Sequence, residues 1–177
     1  MAKKVDKAFE IYVKALDMEK TGESFYEKTA QNSKTPVGKK LFKMLADDEL
    51  VHMARINKIY DSINKQEKVG GDWKKLKIKH PDIRQIFADL AVKNKDMMKP
   101  EATDLDGLEV GIDLENSSIN FYGAQLTKST DADEKAFLKQ MVIEEQTHLR
   151  VLADMEFYLT NPEGWYVEHE KHGLDGA

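Results

Sequence analysis

Two short stretches of this chain join a carboxylate to an imidazole three residues later: Glu49 with His52 in ADDELVHMAR, and Glu145 with His148 in VIEEQTHLRV. On a helix that spacing places both side chains on one face, about 4.5 Å apart along the axis at ~1.5 Å per residue. Such a pair can reach a common cation. Glu19 and Glu115 lie in similar surroundings, ALDMEKTGESFY and GIDLENSSINFY. All six stand where the neighbouring pattern calls for an apolar side chain. Four carboxylates inside a core without counter-charge would have to take up protons. Two divalent cations balance them with both imidazoles neutral, so charge alone selects a two-metal site. Carboxylate and imidazole donors favour iron or manganese over a structural zinc site.

The elements that position these residues follow from a repeat. Glu19 and Glu115, Phe25 and Phe121, Tyr26 and Tyr122, Glu49 and Glu145, and His52 and His148 are all related by one offset of 96 residues. A shared offset across two separate blocks indicates a duplicated pair of helices. Each helix carries an apolar stripe with 3,4 spacing. The first is Phe9, Tyr12, Leu16, Glu19, Glu23, Tyr26, Ala30, and the second Phe42, Leu45, Glu49, His52, Ile56, Ile59, Ile63. The third is Leu105, Leu108, Ile112, Glu115, Ile119, Tyr122, Leu126, and the fourth Leu138, Met141, Glu145, His148, Leu152, Met155, Leu159. Polar residues interrupt each stripe near its middle.

Thr35-Pro36 supplies an N-cap with proline at the first helical position, and Asp131 with Glu134 reads as a capping box. Asn161-Pro162 with Gly164 is expected to end the last helix. Glu19 and Glu49 stand equally far from the turn NSKTP, and Glu115 and Glu145 from the turn KSTDAD. Folding each hairpin at its turn therefore brings its Glu and its Glu-x-x-His to one level. Residues 64–104 form a link long enough to run the length of the bundle. Within it PDIRQIFADLAV reads as a short amphipathic helix with Ile83, Ile86, Phe87 and Leu90 on one face.

Composition narrows the function classes. The chain has 177 residues, 33% of them charged and none of them cysteine, with a formal net charge of −5. Thiol catalysis, disulfides, zinc ribbons and iron–sulfur clusters are excluded, and a cytoplasmic address is expected. Nothing predicts nucleic-acid binding. No apolar run approaches the ~20 residues of a membrane span, and charges interrupt the N-terminus as a signal peptide.

One glutamate from each of two helices, with Glu-x-x-His from the other two, is the di-iron/di-manganese carboxylate arrangement. On ALDMEKTGESFY, DDELVHM, DLENSSINFY and IEEQTHL the chain resembles the ferritin-like superfamily, most closely the rubrerythrin group. The resemblance implies an all-α ferritin-like four-helix bundle of two duplicated hairpins joined by a long crossover, with residues 1–177 as a single domain. It implies two iron ions, or manganese in place of iron. Glu19 and Glu115 would be terminal ligands, Glu49 and Glu145 would bridge, and His52 and His148 would each cap one ion. It also implies a homodimer. Rubrerythrins proper feed electrons to this site from a cysteine-ligated iron, which a chain without cysteine lacks, so an external electron-donor protein is expected. Their third helix usually carries a further glutamate near the ligand. Here the residues one turn from Glu115 are Gly111, Ile112, Ser118 and Ile119.

Asp48 and Glu144 each precede a bridging glutamate and can accept the free ring N–H of the histidine on the facing helix, as metal-bound histidines require. Tyr26 and Tyr122 lie two turns beyond Glu19 and Glu115, and long helical side chains lean toward the N-terminus. Their hydroxyls can therefore reach the metal layer, or the rings can simply pack. Glu23 faces Ile119 across the repeat and sits about 6 Å along the axis from Glu19. Either it turns to solvent at the edge of the seam, or it is an additional or movable ligand replacing the missing third-helix glutamate. His80, His169 and His172 fall in the link or the tail, where VEHEKHG is either solvated or a surface metal site.

The expected function is a di-iron oxidoreductase reducing hydrogen peroxide or dioxygen at a diferrous centre. Iron oxidation or storage is the alternative. It is disfavoured because cage-forming ferritins use a fifth helix, whereas NPEGWYVEHEKHGLDGA is broken by Pro162, Gly164 and Gly173. A third reading is a helical interaction protein whose metals only hold the bundle together.

Overall fold

The computed structural model describes residues 2–65, 71–78, 83–93 and 102–174. Four long helices dominate: α1 (Ala2–Asn32), α2 (Pro36–Asn64), α4 (Ala102–Lys128) and α5 (Ala132–Thr160). A 3₁₀ turn (Gly71–Lys75) and α3 (Ile83–Lys93) lie in the link, and α6 (Pro162–Leu174) follows the bundle. At ~1.5 Å per residue each long helix extends about 40–47 Å. This is the all-α ferritin-like bundle, and no strand occurs among the described residues.

Both hairpin turns are capped by side chains. Thr35 Oγ1 accepts from the Gly38 N–H at 3.0 Å, and Pro36 occupies the first turn, where its missing N–H costs nothing. Asp131 Oδ1 accepts from the Asp133 and Glu134 N–H groups, each at 2.9 Å. The expected reciprocal box does not close. The Glu134 carboxylate turns instead to the Ser129 hydroxyl at 2.6 Å and the Tyr12 hydroxyl at 3.0 Å. It thereby pins the foot of α1 to the start of α5.

The link does run the length of the bundle. It leaves the end of α2 and delivers α4 beside the opposite hairpin turn, where the Thr35 hydroxyl donates to buried Asp104 Oδ2 at 3.1 Å. The resulting order is up, down, down, up, with α1 packed against α4. Helix α3 forms where its apolar spacing places it, and Ile86 and Leu90 pack on the core. The 3₁₀ turn was not expected. It buries Trp73, which stacks edge-on against Phe137 at 5.5 Å. The side chains of Ile63, Ile83, Phe87, His169 and His172, and all of His80, lie outside the described residues.

The tail differs from expectation. Asn161 ends α5 and immediately starts α6: its Oδ1 accepts from the Gly164 N–H at 3.0 Å, with Pro162 at the first helical position. A proline that cannot continue one helix is well suited to begin the next. Gly164 is needed because a Cβ there would meet Asn161 Nδ2 at 2.5 Å. Trp165 anchors α6, 1% exposed and edge-on to Tyr158 at 5.2 Å.

The apolar interior is divided. One cluster holds Tyr26, Phe42, Leu45, Leu108, Leu152 and Met155, and a second holds Tyr12, Ile56, Ile59, Tyr122, Phe137 and Met141. Between them lies the layer of carboxylates and histidines. Phe9, on the expected seam, is 44% exposed because it lies near the open end, where it meets Tyr60 at 5.4 Å.

Candidate metal centre

The six sequence-selected ligand candidates converge at mid-height. Glu19, Glu49, His52, Glu115, Glu145 and His148 are each at most 4% exposed. Their donor atoms form two groups, Glu19–Glu49–His52–Glu145 and Glu49–Glu115–Glu145–His148, with the atoms of each within 4.8 Å of one another. Glu49 and Glu145 belong to both groups. Each of the other four residues serves one. Every helix of the bundle contributes, and α2 and α5 each present a glutamate and a histidine one turn apart.

Distances within the layer follow the same division. His52 Nδ1 lies 2.9 Å from Glu19 Oε2, 3.1 Å from Glu49 Oε2 and 3.3 Å from Glu145 Oε1. His148 Nδ1 lies 3.4 Å from Glu145 Oε2, 3.6 Å from Glu115 Oε1 and 3.8 Å from Glu49 Oε1. The Nε2 atoms point outward to the facing helix. His52 Nε2 meets Glu144 Oε2 at 3.0 Å, and His148 Nε2 meets Asp48 Oδ2 at 3.2 Å. Each ring is thus oriented so that Nδ1 faces the layer. The rings stack on each other with centroids 5.6 Å apart.

Two tyrosines cross between hairpins. The Tyr26 hydroxyl donates to Glu115 Oε1 and the Tyr122 hydroxyl to Glu19 Oε1. Burial, with the facing glutamate next, pushes both hydroxyls well above the ordinary tyrosine range, so they keep their protons. Tyr122 bonds one oxygen of Glu19 and leaves Oε2 beside His52 Nδ1, whereas Tyr26 bonds the Glu115 oxygen that also lies 3.6 Å from His148 Nδ1.

Without cations the layer is held together by protons. Burial, then Glu19 and Glu145, raises Glu49 well above the usual carboxylate range. Burial and Glu145 carry Glu115 up to about 8. Burial alone would lower the two histidines, but the surrounding carboxylates outweigh it and hold both well above the usual histidine range. Glu145 faces both imidazoles, which overcome its burial and hold it below the usual carboxylate range.

The donor set fits two hard or borderline cations. Although buried, both Glu145 oxygens and His148 Nδ1 have no hydrogen-bond partner among the described residues. Three electron-pair donors left in this way, aimed where two ligand groups overlap, are what a cation would satisfy and a hydrogen-bond network does not.

Glu23 is not part of either group. It is half-buried, and its Oε2 accepts from the neighbouring Ser24 hydroxyl at 3.2 Å on the exposed side. Sequence reasoning missed Arg55. Only 5% exposed, it pairs through Nη1 with Glu144 and donates from Nε to the Leu76 carbonyl at 2.9 Å. Burial opposes ionisation of Glu144, but His52 and Arg55 prevail and hold it at about 2. The signal was present as a second inequality of the repeat, since the position 96 residues beyond Arg55 is Val151.

A cavity of about 220 Å³ opens between α1 and α4 and reaches the layer at Glu19, Glu49 and Glu115, with Tyr26 on its wall. Gly22 lines it, where a Cβ would make an ordinary contact with Glu49 Oε1 at 3.4 Å.

Residues 10–156, which span the four long helices, match the Rubrerythrin family. The chain belongs to the rubrerythrin family. No curated protein and no solved structure matched the chain in the corresponding searches. Rubrerythrin membership and the doubled carboxylate–histidine cluster together indicate a di-iron protein with oxidoreductase chemistry in general. No described helix is long and apolar enough to cross a membrane.

Proposed function

We propose that this rubrerythrin reduces hydrogen peroxide, with dioxygen as the slower oxidant, using two iron ions held between the four helices. The observation that carries the reading is the pair of four-residue groups sharing Glu49 and Glu145. In this assignment Glu49 and Glu145 bridge, Glu19 and Glu115 are terminal ligands, and His52 and His148 cap one ion each. Manganese can replace iron in such an oxygen- and nitrogen-rich set. Two ferrous ions supply the two electrons that cleavage of the O–O bond requires.

The chain's own residues supply access, orientation and protons. The cavity between α1 and α4 admits an oxidant of a few atoms to the carboxylate side of the layer. Tyr26 lines that cavity while donating to Glu115, so its hydroxyl is placed to deliver a proton as peroxide and two protons become two waters. Tyr122 holds Glu19 in the matching orientation from the closed side. Glu23 is assigned as a movable carboxylate that swings inward over one helical turn when the charge of the centre changes. With no cysteine in the chain, the electrons come from a separate donor protein. Residues 1–177 are read as one di-iron domain acting in the cytoplasm as a homodimer.

Rapid mixing of the anaerobically reduced, iron-loaded protein with peroxide or dioxygen at equal concentration tests the reading. Faster oxidation by peroxide is expected, and His148→Ala should abolish it. Faster oxidation by dioxygen would transfer the assignment to iron oxidation or storage. That second reading gains one supporting observation, because α6 provides a helix beyond the bundle. A solution mass of a many-subunit cage would favour it. No reaction with either oxidant, in a protein that still binds two ions, would leave a metal-stabilised interaction bundle.

A further inference from the structure

The layer is approached from two sides, and the two approaches differ in chemistry. The cavity between α1 and α4 ends on carboxylates. A second depression, about 540 Å³, lies on the histidine side between α2, the 3₁₀ turn and α5. Its lining includes Arg55, Trp73, Lys74, Lys77, Gln140 and Glu144. The one acidic group among these is already engaged by Arg55, His52 and Gln140. Lys74 and Lys77 are exposed, and Lys74 Nζ stands 5.4 Å over the Trp73 ring. The described segment that forms its rim, residues 71–78, holds three lysines against one acid, in a protein of net charge −5. From the floor of this basic depression the path inward is short. Arg55 pairs with Glu144, and Glu144 Oε2 is 3.0 Å from His52 Nε2.

We propose that this basic depression is the docking site of an acidic one-electron carrier protein, which delivers electrons through the Arg55–Glu144–His52 contact. The inference rests on the peroxide reading above and names the partner that reading requires. Two carrier molecules each lose one electron, and with two protons these reduce one peroxide to two waters. The occupant is a protein with an acidic surface because two exposed lysines, Lys74 and Lys77, stand beside buried Arg55 in the lining, and its one acid is already paired. Opposite charge across such a surface accelerates encounter by about 10–1000-fold at low salt. The other half of the layer offers no equivalent: Asp48 replaces Glu144, Val151 replaces Arg55, and both are at most 2% exposed. Oxidant and electrons therefore arrive on separate sides.

The test uses the full chain with two carriers of opposite surface charge, an acidic plant-type ferredoxin and basic cytochrome c. Carbodiimide coupling of donor carboxylates to lysines, followed by peptide mapping, reads docking without any turnover. Lys74 and Lys77 should be captured with ferredoxin at low salt and lost at high salt. In stopped-flow, Lys74→Glu/Lys77→Glu should slow ferredoxin oxidation at least tenfold at low salt, with the difference shrinking as salt rises. Lys39→Glu/Lys40→Glu, on exposed lysines at the far end of α2, should not slow it. Coupling mapped elsewhere, faster reaction with cytochrome c, or an equal loss with a small uncharged reductant would overturn the proposal. So would competition by inorganic phosphate at matched ionic strength without ferredoxin capture, which would mark a small-anion site. If docking is captured but peroxide is not consumed, the docking site stands and the peroxide reading falls.

Discussion

The His52 half of the layer and the His148 half are built from the same parts and finished differently. In both, Nδ1 faces the carboxylates, Nε2 meets an acid on the facing helix, and a tyrosine of the opposite hairpin donates to the glutamate that belongs to that half alone. Beyond that shell the likeness ends. Asp48 is short and buried, and behind it the core closes with Val151. Glu144 is one methylene longer, its side chain is 13% exposed, and it engages Arg55, which also holds the Leu76 carbonyl of the link. A duplicated hairpin fixes what the cations need from both halves. It leaves the next layer out to answer to what packs on each half: Leu76 and the 3₁₀ turn beside Arg55, and α3 on the apolar cluster that holds Val151.

The largest effect expected from breaking the symmetry comes from the shared residues. Glu145→Ala removes a donor from both groups, whereas Glu115→Ala removes a donor from one. The first variant should lose both ions and the second should retain close to one, as counted by elemental analysis of protein purified without oxygen. Equal metal content in the two variants would mean that Glu49 and Glu145 do not bridge.

Metal removal should come next. In the cation-free layer Glu115 titrates at about 8, against an ordinary value of 4.5. A raised folded value means the native state binds the proton more tightly than the unfolded chain. That stability is complete below about 4.5 and is lost as pH rises through 8. Glu49, His52 and His148 shift in the same direction. The depressed value of Glu145 acts oppositely, and its contribution disappears in acid. Metal-free protein should therefore melt at a lower temperature at pH 8 than at pH 6. Cations compete with those protons, so the gain in Tm on loading should widen over the same interval. A gap that narrows toward pH 8 would contradict this account.

Much of this was legible from period and repeat. Apolar spacing locates the four long helices and α3, and the offset of 96 residues aligns the polar layer. Asp48 and Glu144 could be paired with the facing histidines because a ring nitrogen turned away from a metal still requires an acceptor. Contacts made by irregular backbone were not legible. Trp73 sits in a 3₁₀ turn with no apolar period, and Arg55 looks like a surface cation until Leu76 is placed beside it. The tail was misread because Pro162 was taken only as a stop, although the same residue with Asn161 before it is also a start.

Arg55 sharpens the comparison at intermediate size. Arg55→Met keeps the length of the side chain but removes a charged hydrogen bond to Glu144 and the tether to Leu76. His52 still engages Glu144, so the loss should be limited to about 1–3 kcal/mol. In a chain of this length that corresponds to a Tm drop of roughly 2–12 °C. Both cations should remain bound, and the melt should be followed on the metal-loaded protein. An unchanged Tm would show that the contacts of Arg55 with Glu144 and Leu76 do not stabilise the fold.

The smallest expected effect falls on Glu23, where the halves differ by an ionisable group against Ile119. Glu23 stands four residues after Glu19 on the inward stripe but is only half-buried, with its carboxylate on Ser24 at 3.2 Å. An exposed hydrogen bond between neighbouring side chains is worth little, so rotation inward is opposed mainly by desolvation of the carboxylate. Oxidation of a bound metal pair would add positive charge beside it and offset that cost, and reduction would release the carboxylate to Ser24. On this account Glu23→Gln should keep both cations, shift Tm by no more than about 1–2 °C as surface changes do, and slow oxidation by peroxide several-fold. Glu19→Gln should instead lose metal, because it alters a donor of the first group. Infrared difference spectra between reduced and oxidised protein give the decisive reading, since a carboxylate that changes partners shifts its stretching bands and Glu23→Gln removes those bands. If the Glu23→Gln difference spectrum matches that of the unaltered protein and peroxide kinetics are equal, Glu23 is a surface residue and the inequality of the repeat at that position has no part in the chemistry.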